Sequence, residues 1–156
     1  MKGDLEKMAE RMDYSGDFDP TVSYDNFSKE TLLKLLAFYG KYLLRIDGFW
    51  YLSDMEKCGN DNAFDCDLKV WEKLQPWEVK VLSKLMDIRG DNVAAVMKYF
   101  QVSPWIWAMD YDIDLKSPNY GIITMTQCPT LRSLEKEGTG RERLICREVE
   151  PKIMGM

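Results

Sequence analysis

The sequence contains no histidine. That absence removes Ser-His-Asp triads, Cys-His dyads and His-ligated metal centres from the chemistry open to this chain. A general base here must be Asp, Glu, Lys, Tyr or a thiolate. Cysteine is sparse. Cys58, Cys66, Cys128 and Cys146 include no CxxC pair, so the regular zinc and iron–sulfur spacings are missing and no metal site is expected. Only a fold that joined Cys128 to Cys146 beside carboxylates could assemble one. Long apolar runs are lacking too, and Met1–Arg11 is charged, so neither a membrane span nor a signal peptide is expected. Basic charge is outnumbered, 21 Lys and Arg against 26 Asp and Glu, for a net charge of −5. The two signs are mixed along the chain, which argues against a nucleic-acid face. These features place the chain in the cytoplasm with reduced thiols. A Cys128–Cys146 disulfide is not favoured.

What is present suits a folded domain. The 156 residues are 46% apolar, enough for one core. Residues 1–25 read as a polar N-terminal segment, with a short helix over Lys2–Met12 and a loop at DYSGDFDP. Residues 26–156 read as a single α+β domain, mainly helical, with four to five helices and a small antiparallel sheet near the C-terminus.

Ser28 is placed to cap a helix running from Lys29 to about Lys57. Leu32, Leu36, Tyr39, Leu43, Ile46 and Trp50 share its apolar face. Asp47 and Asp54 fall inside that stripe, where a carboxylate is costly unless paired or facing a cavity. Gly59 to Asn62 form a turn. A helix over Ala63–Leu74 then turns Phe64, Val70, Trp71 and Leu74 inward, with Asp67 among them. Asp47, Asp67, Trp50 and Trp71 are therefore expected to converge, as the lining of a small-molecule pocket does. A structural network of buried acids would leave the same pattern. Pro76 opens a further helix, and Asp91 caps another over Asn92–Phe100. Trp105–Asp114 alternates as a strand, paired with Tyr120–Gln127. Asp110, Asp112 and Asp114 face solvent there.

The densest concentration of reactive groups is Ile122–Glu148. Pro129 suits the first position of a helix, which makes Cys128 its N-cap. The free N–H groups of a first helical turn favour a thiolate. Thr130 and Arg132 lie within that turn and could help hold an anion. A small buried cysteine ending a strand would leave the same signature. The helix stops at Gly138, and Gly140-Arg141-Glu142 leads into a segment carrying Cys146.

A resemblance rests on these motifs. DGFWYL (Asp47 to Leu52), Gly59, Asp67-x-x-Val70-Trp71, Cys128-Pro129-Thr130-Leu131, Glu137-Gly138, Gly140-Arg141-Glu142, Ile145-Cys146 and Val149-Glu150 resemble a family of uncharacterised prokaryotic cytosolic proteins. That family is similar in layout to the L-2-amino-thiazoline-4-carboxylate hydrolase-like proteins, which open a cyclic cysteine precursor. The resemblance spans Phe27 to Glu150. Relatives of that kind continue into another strand, so a sheet edge covered by a homodimer partner is in keeping with it.

Two functions follow as expectations. In one, the chain is a small-molecule hydrolase or thiol-dependent enzyme. Cys128 is its nucleophile, Asp47 or Asp67 its acid/base and Arg141 an anion clamp, with Glu142 and Cys146 beside the ligand. In the other, it binds a small molecule without catalysis among Trp50, Trp71, Trp105 and Trp107. No motif names a cofactor.

Overall fold

A computed structural model describes residues 10–149, 151 and 152. The architecture is α+β and mainly helical. Among the described residues there are five α-helices: α1 Lys29–Cys58, α2 Asn60–Leu85, α3 Val93–Val102, α4 Pro129–Glu137 and α5 Arg141–Leu144. One antiparallel hairpin, β1 Asp110–Ser117 with β2 Tyr120–Gln127, lies between α3 and α4. No described helix is long and apolar enough to cross a membrane. Most of the helix expected over Lys2–Met12 lies outside the described residues, as do Glu150 and Ile153–Met156.

Contacts divide the chain into two compact units, Met1–Tyr39 and Gly40–Met156. In the first, Arg11 pairs with Phe27 in an isolated parallel bridge. Ser28 is the expected cap of α1: its hydroxyl accepts from Thr31 N at 3.2 Å. The Thr31 hydroxyl in turn donates to the carbonyl of Met12 at 2.7 Å. The start of α1 is thus tied to the loop before it, which satisfies backbone groups that a helix end leaves open.

In the second unit, Gly59 alone separates α1 from α2. Its φ of 83° is cheap only for glycine. The expected turn over Gly59–Asn62 is thereby reduced to one residue, and α2 starts at Asn60. Nor does α2 break at Pro76, which sits in its interior. The fixed φ of proline is itself helical, so only one N–H bond is lost, and the turns on either side carry the helix through. The strand expected from Trp105 is also corrected. Pro104 opens a short 3₁₀ turn, Pro104–Ala108, and β1 begins at Asp110. Alternating Trp105, Trp107 and Met109 imitate a strand period, but Pro at the first helical position preorganises a turn. In that turn Trp105 meets Phe100 edge-on, with ring centroids 5.2 Å apart.

The core of this unit is built around α3. Ala95, Met97, Tyr99 and Phe100 are buried there, with Ile106 beyond them. Gly121 of β2 leaves the space that the tip of Met97 fills: a Cβ there would come within 2.1 Å of Met97 Cε. Gly40 gives a second close approach. A Cβ would meet Trp107 Cβ at 2.9 Å and the Pro104 carbonyl at 3.0 Å, so glycine lets the 3₁₀ turn sit on α1.

A buried polar cluster joins α2 to α3. Glu78 is 8% exposed, and one carboxylate oxygen accepts both the Tyr99 hydroxyl, at 2.8 Å, and the Ser103 hydroxyl. Burial first, then the bond to Glu78, pushes the Tyr99 phenol well above its ordinary range.

Candidate functional site

The C-terminal part of α1 presents Lys41, Leu44, Arg45, Gly48 and Leu52 at helical spacing, flanked by Asp47 and Tyr51. Pro129, Thr130, Ser133, Leu134 and Glu137 of α4 oppose them. Arg141 and Ile145 close the space, with Ala108 of the 3₁₀ turn at its edge. The cleft measures about 480 Å³, within the usual size of small-molecule sites. Gly48 contributes open space: a Cβ built on it meets nothing within 4 Å.

One of its walls is polar. Arg141 forks onto Glu137 four residues earlier, with Nε–Oε2 at 2.9 Å and Nη2–Oε1 at 2.7 Å. The same guanidinium lies over the Tyr51 ring, 4.6 Å from its centroid. Planar forks and ring stacking are both properties of arginine that lysine lacks. Tyr51 is 9% exposed and donates its hydroxyl to Asn60 Oδ1 at 3.0 Å, which ties α1 to the first turn of α2. Burial raises the Tyr51 phenol. Arg141 opposes that rise, and Asp67 and Glu137 add to it.

Asp47 differs from Glu137, the other acid lining the cleft. It is half-buried. No residue among those described gives it a hydrogen bond or an ion pair. Burial alone raises its carboxyl above the usual 3.8. Lys41 and Arg45 line the same cleft from exposed positions, and neither neutralises it. Arg45 instead lies over the Phe49 ring, at 5.7 Å.

The structure brings some expected residues together and separates others. Asp47 and Arg141 share the cleft. Asp67, on α2, does not line it, but its charge reaches the Tyr51 phenol. Trp50 is 67% exposed and borders a shallow depression with Ile46, Phe49 and Ser53. Trp71 is half-buried and apart from the cleft lining. The expected aromatic convergence of Trp50 and Trp71 around Asp47 is therefore replaced by Tyr51 and Phe49. Trp50 and Asp47 are three residues apart on α1, and Asp47 faces the cleft while Trp50 faces out. Trp107, 42% exposed, and Trp105 also lie outside the lining.

Cys128 caps α4, as its Cys-Pro step implies. Its sulfur accepts from Leu131 N at 3.4 Å. The thiol is half-buried and is not part of the cleft lining, although Pro129 and Thr130 are. Cys146 is exposed in the π-helical segment Ile145–Val149, and Cys58, Cys66 and Cys128 are free thiols. Glu142 is half-buried in the first turn of α5. No group of acids and cysteines among the described residues is arranged to hold a metal ion.

Tyr51 and Glu137 are the partners that sequence reasoning passed over. Both carried a signal. Tyr51 stands four residues after Asp47, a spacing that places side chains together on a helix face, and Glu137 closes α4 just before the Gly138–Gly140 turn that leads to Arg141. Glu78 carried one too, four residues from both Leu74 and Leu82.

No protein-family model, curated protein or solved structure matches the chain.

Proposed function

We propose that the chain is a small-molecule-binding protein whose ligand occupies the cleft between α1 and the α4–α5 segment. The observation that carries this reading is Asp47. A half-buried carboxylate without a partner is a standing cost to the fold, and it is turned toward a space large enough for a ligand. The wall opposite is held in place by the Glu137–Arg141–Tyr51 stack, so little ordering is left to be done on binding.

The thiol-enzyme reading, to which the hydrolase-like resemblance leads, is weaker. It needs a nucleophile at the ligand, and Cys128 turns its sulfur to a backbone N–H outside the cleft lining. What favours a catalytic role is Asp47 alone, whose raised carboxyl suits proton transfer better than an ordinary aspartate does. A cytoplasmic location belongs to the same proposal and is supported by the free thiols of Cys58, Cys66 and Cys128. So does a homodimer, supported by Val70, Trp77, Val81 and Leu85 standing exposed along α2.

The test is a ligand screen by 1H–15N chemical-shift mapping on the wild type and on Gly48→Leu, which projects a bulky side chain into the cleft. Binding shifts confined to cleft residues and lost in Gly48→Leu support the proposal. Shifts that persist in that variant contradict it.

A further inference from the structure

We infer that the ligand is an amino-acid-like zwitterion, its ammonium group seated on Asp47 and its acid group at the mouth beside Lys41 and Arg45. This rests on the binding role proposed above and adds the ligand's chemical class.

The inference comes from how charge is distributed over the cleft. Five charged side chains line it: Lys41, Arg45, Asp47, Glu137 and Arg141. Two cancel each other, because Glu137 and Arg141 are joined by three hydrogen bonds. The remaining acid is recessed and has no partner. The remaining bases are exposed, and no described acid pairs with either. Arg45 stands two residues from Asp47 and Lys41 six, spacings that leave both bases off the face of the helix that Asp47 occupies. Arg45 is turned onto Phe49, and burial raises the Asp47 carboxyl.

A ligand that satisfies both ends must carry a donor cation inside and an anion outside. An anion alone would leave Asp47 unpaired and closer to like charge. A cation alone would leave the two bases facing only water, which costs little, so the inner contact is the selective one. Lys41 and Asp47 are six residues apart on one helix, about 9 Å along its axis. The cleft lining also includes the apolar Leu44, Leu52, Leu134 and Ile145. The body between the two charged groups is therefore a hydrocarbon several carbons long.

The experiment is calorimetric titration with three probes of equal chain length: 8-aminooctanoate, octylamine and octanoate. Each is run against the wild type, Asp47→Asn and Gly48→Leu. The inference expects 8-aminooctanoate to bind best. Asp47→Asn should weaken both amines about tenfold or more, the worth of a charge-assisted hydrogen bond, and leave octanoate unchanged. Gly48→Leu should abolish all binding. If octanoate binds as well as the amino acid in a Gly48→Leu-sensitive way, the zwitterion class is wrong and the cleft still binds. If no probe binds, the ligand class is overturned and the cleft still stands or falls by the screen above; if probes bind and Gly48→Leu changes nothing, the cleft is overturned too.

Discussion

The Arg141 guanidinium lies 4.6 Å from the centre of the Tyr51 ring, and this contact organises the cleft. It joins α5 to α1, while Glu137 at the end of α4 fixes the angle of the fork across the Gly138–Gly140 turn. The Arg141 side chain is 12% exposed and that of Glu137 29%, so the pair is shielded from solvent more than a typical surface pair.

Replacing Arg141 by Ala should cost about 1–2 kcal/mol, from the lost fork and ring contact together. Arg141→Lys should recover little of it, because an ammonium cannot make both contacts. Denaturant unfolding measures the loss. Ultraviolet titration gives a second readout. Arg141 holds the Tyr51 phenol down against burial, so the alanine variant should titrate at still higher pH.

Asp47→Asn should stabilise the protein at neutral pH and weaken ligand binding. The folded-state carboxyl lies above its usual 3.8. Folded protein therefore binds the proton more readily than unfolded protein, and stability falls as pH rises from 3.8 through the folded value. Below 3.8 both states are protonated and no penalty remains. The gain from Asn should accordingly be largest at neutral pH and fade toward pH 3.8. Thermal melts of both proteins across that range check the sign, and a gain that grows on acidification would be wrong for this account.

Two glycines on α1 should respond in opposite directions. Gly40→Ala places a Cβ against Trp107 and the Pro104 carbonyl, at 2.9 and 3.0 Å. It should destabilise by about 1–3 kcal/mol, as overpacking does. Gly48→Ala meets open space and should stabilise by about 0.5–1 kcal/mol through helix propensity. Unfolding midpoints of the two variants settle both.

Cys128→Ser should keep the α4 cap and leave ligand affinity unchanged. Cys128→Ala should lose about 0.5–2 kcal/mol of stability, again with affinity intact. Titration of a cleft ligand against both variants is the check. A loss of affinity in the serine variant at full stability would return the thiol to the site.

Much of the fold was legible because its punctuation is local. Ser28, Gly59, Cys128-Pro129 and Gly138 each act on backbone within a turn of themselves, and each marks an element end in the structure. Tyr120–Gln127 was legible as the return strand of an antiparallel hairpin. Pro76 and Trp105 misled because local rules gave way to context. A long helix absorbed one proline, while Pro104 turned an alternating run into 3₁₀. The site was half legible. Periodicity found Asp47 inside an apolar stripe, and the Gly-Arg-Glu motif found Arg141. Their aromatic neighbour was misassigned because Trp50 and Tyr51 are adjacent in sequence but 100° apart around the helix. A one-residue error in facing exchanges a surface tryptophan for the buried tyrosine.

The measurement closest to the central claim is the affinity of 8-aminooctanoate for wild type and Gly48→Leu, taken side by side with their unfolding midpoints. The account predicts that Gly48→Leu folds at least as stably as wild type and binds nothing. A variant that is stable and still binds with wild-type affinity would contradict it, because the ligand would then be held somewhere other than the cleft beneath Asp47.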